Sequence, residues 1–292
     1  MGRWAQLKDE RERLQVLAAL AHDAEVLMAV KEHRKELRTL PQVSAQEDRV
    51  APWNVREIIL DAGRSAALHL EHWETALALN AEAIELKEAR GATALEVAQR
   101  RFNDYFPLLR LGSYPEAHTL LQACRTTFES AGDVGMLGHV FSALADLEDD
   151  LHHPVAALAF GQTALRYAYL ADTSGACATH HFNLTLFLRR AGDSPEVALG
   201  HRLAAAVIRF QTGSGWLHST LQDLAQDCVA FVPAPPPLPA SFEALCEVVE
   251  RVEGVRFREL VERLPRRAPT GEAALAEVIR LVQEQTTSMP IA

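Results

Sequence analysis

The sequence predicts an all-α protein, an α-solenoid of stacked helical hairpins followed by a small C-terminal helical piece. Three observations carry that prediction. Of 292 residues, 48% are hydrophobic but only 7% aromatic, and Ala, Leu, Glu and Arg dominate; these residues lose least on entering a helix. A short helix-start motif recurs at nearly constant spacing, the mark of a repeat architecture. Two of those starts follow directly on a helix-closing glycine, Gly112 and Gly192.

The first element is Trp4 to Leu40, where Leu7, Leu14, Leu17, Ala21, Ala24, Met28 and Leu37 are spaced for one apolar helix face. A turn at His22-Asp23 would divide it into two helices. Pro41 to Pro52 is polar and reads as a loop, closing an N-terminal segment of residues 1–51.

The array follows, over residues 52–231. His72-Trp73-Glu74-Thr75-Ala76, Ser113-Tyr114-Pro115-Glu116-Ala117, His152-His153-Pro154-Val155-Ala156 and Asp193-Ser194-Pro195-Glu196-Val197 align, their last residues stepping by 41, 39 and 41. Each reads as a helix start, because Pro is accepted in a first turn and Glu there meets the positive helix end. Seven positions on stand small residues, Ala83, Cys124, Thr163 and Ala204, which let neighbouring helices approach. Ahead of the last three starts lies another helix, over Leu95 to Leu111, Gly135 to Leu151 and Ala176 to Ala191, the first of them kinked at Pro107. The unit is a helical hairpin of about 40 residues, and stacking such hairpins buries each amphipathic face against the next.

Val232-Pro233-Ala234-Pro235-Pro236-Pro237-Leu238-Pro239 cannot be helical and reads as a stiff linker over residues 232–240. Beyond it, residues 241–286 read as three short helices, Phe242 to Arg251, Arg256 to Leu264 and Glu272 to Gln285. This subdomain is too small for a large core of its own and is expected to pack back on the array or dock elsewhere.

Leu111-Gly112-Ser113-Tyr114-Pro115-Glu116-Ala117 with Cys124, and Ala191-Gly192-Asp193-Ser194-Pro195-Glu196-Val197 with Ala204, resemble the tetratricopeptide repeat over roughly Pro52 to Phe231. The period near 40 exceeds the family's usual 34 or so, and Arg64 and Tyr105 stand where that family wants a small residue. More loosely, Pro52-Trp53-Asn54-Val55-Arg56-Glu57, Gly91-Ala92-Thr93-Ala94-Leu95 with Phe102-Asn103-Asp104-Tyr105, and Ser142-Ala143-Leu144-Ala145-Asp146-Leu147-Glu148-Asp149 resemble the C-terminal sensor repeats of bacterial STAND signalling ATPases. That resemblance implies the sensor half without its NTPase module.

Charge and motifs narrow the function. A formal net charge of -10 offers no basic field for nucleic acid. Apolar runs fall short of the roughly 20 residues of a bilayer span, and the N-terminal stretch lacks a signal-peptide core, so a cytoplasmic location is expected. Richness in Ala and Arg with few Lys points to a GC-rich bacterial genome. Cys124, Cys177, Cys228 and Cys246 form no C-x-x-C pair and read as buried thiols. The neighbours His152-His153 and His180-His181 point about 100° apart on a helix and make poor joint metal ligands. Phosphate-loop, dinucleotide and nucleophile-elbow motifs are absent from the sequence. No catalytic residue, metal ligand or cofactor is expected.

Candidate contact residues form a column in the first helix of each hairpin: Arg101-Phe102-Asn103, Val140-Phe141-Ser142 and His181-Phe182-Asn183, in steps of 39 and 41. The tetratricopeptide resemblance implies that Asn103, Ser142 and Asn183 face the concave groove, where an amide both donates to and accepts from a peptide backbone. Phe102, Phe141 and Phe182 would supply apolar contact, or else pack between hairpins. Arg110, Arg189 and Arg190 would add an anionic preference, or else form a solvated face. Glu148, Asp149 and Asp150 are an acidic run at the equivalent place in the middle repeat, which would orient a dipolar partner but is better read as a solvated face. The expected function is a non-enzymatic module holding a protein or peptide; a ligand-gated regulator or an accessory subunit of an enzyme assembly are the alternatives.

Overall fold

Pro107 lacks an N–H, and its ring collides with the carbonyl four residues back, that of Asn103. In the computed structural model, which describes residues 3–39, 52–231, 234, 236–264 and 267–288, the helix expected over Leu95 to Leu111 is accordingly broken ahead of the proline. It becomes α5 (Ala94–Phe102) and α6 (Tyr105–Arg110). The other helices are α1 (Arg3–Ala19), α2 (Asp23–Thr39), α3 (Pro52–His69), α4 (Trp73–Ala89), α7 (Tyr114–Ala131), α8 (Val134–Asp150), α9 (Pro154–Leu170), α10 (Ser174–Arg190), α11 (Pro195–Thr212), α12 (Leu217–Val229), α13 (Phe242–Val249), α14 (Phe257–Arg263) and α15 (Gly271–Ser288). The described residues contain no strand. The architecture is an α-solenoid of helical hairpins packed in consecutive pairs.

The repeat length is set at the turns. A residue with positive φ stands at Glu71, Gly91, Gly112, Gly132, His152, Asp172, Gly192 and Gly213, in steps of 20 or 21. At each, the left-handed conformation turns late N–H groups back onto the last carbonyls of the preceding helix. After α8, for example, His152 N–H donates to the Asp149 carbonyl at 3.0 Å and His153 N–H to that of Glu148 at 2.8 Å. Two such steps make the period of 40 to 41. The apparent step of 39 is a register slip: Ala117 and Ala157 are fully buried, whereas Ala156 is half-buried. Ala164 takes the buried place assigned to Thr163.

The chain forms two compact units, Met1–Gly132 and Asp133–Ala292. In the first, α1, α2, α3 and α4 bury Leu14, Val26, Val30, Ile59 and Leu79. The apolar face read across Trp4 to Leu40 holds for Leu14 but not for Met28, which is 59% exposed, nor for Ala24. The chain reverses at Ala21, where φ is 57°, so the face restarts in a new register on Val26, Leu27, Ala29 and Val30. The Leu7 and Leu37 side chains and the loop expected from Pro41 to residue 51 lie outside the described residues. Arg64, off the small-residue pattern, pairs with Asp61 at 3.1 Å, and Asp61 also takes Arg100 at 2.6 Å.

In the second unit α8, α9, α10, α11 and α12 pack in sequence, and α13, α14 and α15 lie on α11 and α12. The C-terminal helices, read from sequence as a subdomain behind the Pro-rich segment, thus share the core of α9 to α12, with Leu245, Val249, Phe257, Leu260 and Val278 within it. Gln211 of α11 accepts the Arg267 and Ala268 N–H groups at 3.0 Å each and donates to the Ala268 carbonyl at 3.3 Å. A Cβ on Gly200 would lie 2.7 Å from a Val248 methyl, so the α11 backbone packs directly on that side chain of α13. The described part of the Pro-rich segment is non-helical. No described helix is long and apolar enough to cross a membrane.

Candidate partner-binding face

On α8, His139, Ser142, Asp146 and Asp149 recur at helical spacing and share one side. Their equivalents 41 residues on stand on α10. His139 and His180 bring their rings to 5.9 Å. Asn183 Nδ2 donates to Ser142 Oγ at 3.4 Å. Asp149 and Arg190 form an ion pair. Three rungs of a polar ladder therefore join equivalent positions of successive hairpins, and two of the predicted groove residues meet in the central one.

The electrostatics of this face follow from partial burial. Burial lowers the pKa of His139, against the pull of Asp133, and lowers that of His180 to about 4, where the His139 imidazole adds to the effect. Both rings are neutral at pH 7, and the buried Nδ1 of His180 has no hydrogen-bond partner. Burial, reinforced by Asp150, pushes the Asp146 carboxyl up to about 7. Asp149 is only 8% exposed, so the acidic run is not simply a solvated face.

Asn103 belongs to the first unit. It caps α5, its N–H donating to the Arg100 carbonyl at 3.2 Å, at the break that Pro107 imposes. The side chain holding that break is Asn80 of α4, fully buried, whose Nδ2 donates to the Arg100 carbonyl at 3.0 Å and to Asp104 Oδ1 at 2.8 Å. Burial outweighs that bond and raises the Asp104 carboxyl to about 6.

The Phe column engages its own hairpins. Phe141 is 6% exposed and stacks on Tyr167 at 5.2 Å and Phe160 at 6.2 Å. Phe102 lies 5.0 Å from Tyr105. Phe182 carries the Arg202 and Arg209 guanidiniums at 4.5 and 5.0 Å from its ring. The arginine column is largely neutralised in place: Arg189 pairs with Asp227 at 2.5 Å and Arg190 with Asp149, while Arg110 lies 5.8 Å from the Trp73 ring.

Behind the ladder, His181 and His201 are buried with Nδ1 to Nδ1 at 2.8 Å, and Tyr169 Oη is 2.8 Å from His181 Nε2. One proton between the two Nδ1 atoms satisfies both as long as at least one ring is neutral. Burial drives both pKa values down, that of His201 to about 3. The four cysteines are free and buried, and burial raises Cys124 and Cys228 to about 11 and Cys177 and Cys246 to about 12. They are protonated thiols at neutral pH. Among the described residues no three of His, Cys, Asp or Glu converge as metal ligands.

The sequence reading missed His139, His180 and Asp146 as members of this face. A 41-residue spacing links His139 to His180 as it links Ser142 to Asn183, and that was the available signal. Asn80 had none, because its partners are created by the break at Asn103.

No family model matches the sequence, and no curated protein matches it significantly. Among solved structures the chain is similar to BtubC (BKLC) from P. vanneervenii, at 15% identity and a TM-score of 0.53, covering 96% of this chain and 94% of that one. At that identity the likeness extends to the fold alone.

Proposed function

We propose that the chain is a non-enzymatic interaction module that holds an extended peptide segment of a partner protein along the α8–α10 face. The carrying observation is the ladder itself: residues 41 apart stand side by side as His139–His180, Ser142–Asn183 and Asp149–Arg190. An extended peptide presents a donor and an acceptor at each residue, and a hydroxyl–amide rung answers both. The tetratricopeptide resemblance supports the same assignment for Asn183 and extends it to Asn103 on the first unit. The looser STAND resemblance would make the module a sensor. The Phe column contributes by stiffening the hairpins, and Arg190 by fixing one rung through Asp149.

The test is site-specific photo-crosslinking in the native host, with a photoreactive residue at position 183 or, as control, at exposed Thr126 on α7. A partner captured from position 183 and lost with Ser142→Ala supports the reading. Capture equally strong from position 126, or none from 183, overturns it.

A further inference from the structure

A second site lies in the same unit, mainly on other helices. A cleft of about 620 Å³ opens among α8, α9 and the turn after it, the segment before α14, and α14 itself, a volume in the range of small-ligand sites. Arg166, Arg256 and Arg263 line it, gathered from three places in a chain whose net charge is -10. Phe141, Tyr167 and Leu170 form its apolar wall. The two rings are nearly parallel, at 17°, and Leu170 is 70% exposed.

The guanidiniums are only loosely engaged by the protein. Arg166 approaches Glu253 at 3.8 Å and Arg256 approaches Glu259 at 3.7 Å, beyond hydrogen-bond length and with arginine side chains 50% and 77% exposed. Arg263 alone is held tightly, by both carboxylate oxygens of Asp172 at 2.7 and 2.9 Å. Guanidinium forks match phosphate and carboxylate geometry, and they also stack on rings. The cleft is far larger than a bare oxyanion, and its remaining wall is aromatic and aliphatic.

We infer that this cleft binds an aromatic anion, a ring bearing phosphate or carboxylate, either as a free small molecule or as a modified side chain of a peptide. The anion lies between Arg166 and Arg256 and competes with Asp172 for Arg263, and the ring rests on Tyr167 and Leu170, with buried Phe141 stacked behind Tyr167. The site uses none of the ladder's side chains and shares with that face only helix α8, through Phe141.

Calorimetric titration of the full chain tests this with phenyl phosphate, a Gly-Gly-phosphotyrosine-Gly-Gly peptide and inorganic phosphate. Phenyl phosphate is expected to bind at least about tenfold tighter than inorganic phosphate. The peptide binding as tightly as phenyl phosphate, or tighter, assigns the peptide source; a weaker peptide assigns the free molecule. Arg166→Ala and Arg256→Ala should each weaken binding about fivefold or more, with unchanged melting temperature. Asp172→Asn should strengthen it about three- to fivefold by releasing Arg263, an increase that a merely structural ion pair would not give. Absence of binding by all three probes at millimolar concentration overturns the inference. So does equal affinity for phenyl and inorganic phosphate, or indifference to the arginine and Asp172 variants.

Discussion

Replacing Asp146 by Asn removes a carboxylate that α8 holds half-buried, near Asp150 and with burial as the larger penalty on its charge. The folded-state pKa is about 7 against 3.8 for the free group, a shift of about three units, and each unit is worth about 1.4 kcal/mol. Because the folded pKa of an acid is raised here, ionisation costs the folded state more than the unfolded one. The penalty is complete above pH 7, shrinks as pH falls toward 4 and is gone below that. The nearly isosteric amide should therefore raise the unfolding free energy by about 4 kcal/mol at pH 8 and by less than half of that at pH 5. Urea titrations followed by circular dichroism at the two pH values measure it, with an unchanged m-value required. A gain of the same size at both pH values, or none at pH 8, would refute the burial argument for Asp146.

Two further outcomes are expected. Since the folded pKa values of His180 and His201 lie near 4 and 3, stability present above pH 6.5 is lost as pH falls, by about 2 kcal/mol for each at pH 5. The melting temperature should drop from pH 7.5 to 5 more steeply in the Asp146→Asn background, where the opposing gain is absent; a parallel drop would count against it. Glu71→Gly should raise the melting temperature, because a non-glycine residue at φ 57° carries about 1 kcal/mol of strain that glycine avoids. A lower melting temperature would mean that the Glu71 side chain contributes more than its backbone costs.

The hairpins were legible because helix starts and stops are local chemistry: Pro154 and Pro195 open helices, Gly112 and Gly192 close them, and Pro107 interrupts one. The cysteines were legible for a similar reason, since an apolar helix face buries whatever it carries. Registers were harder to read. Sliding α9 by one residue exchanges Ala156 for Ala157, and the aligned motif looked the same either way. The docking of α13 to α15 rests on contacts far apart in sequence, Gln211 to Ala268 and Gly200 to Val248, for which no local pattern exists. On the candidate face, Asn183 and Ser142 could be named in advance, whereas the imidazole rung carries the same 41-residue spacing but no repeat motif that marks it.

The turns at intervals of 20 or 21 residues constrain how such a chain can change length. One residue added within α10 ahead of Asn183 would rotate the side chains beyond it in that helix by about 100°, taking Asn183 out of line with Ser142 and turning buried Leu184 and Phe187 toward water. An addition of 40 or 41 residues, bounded by two left-handed turns, would leave each rung facing its counterpart and supply one more. Growth by duplicated hairpins preserves the ladder, and growth by single residues is confined to the turns.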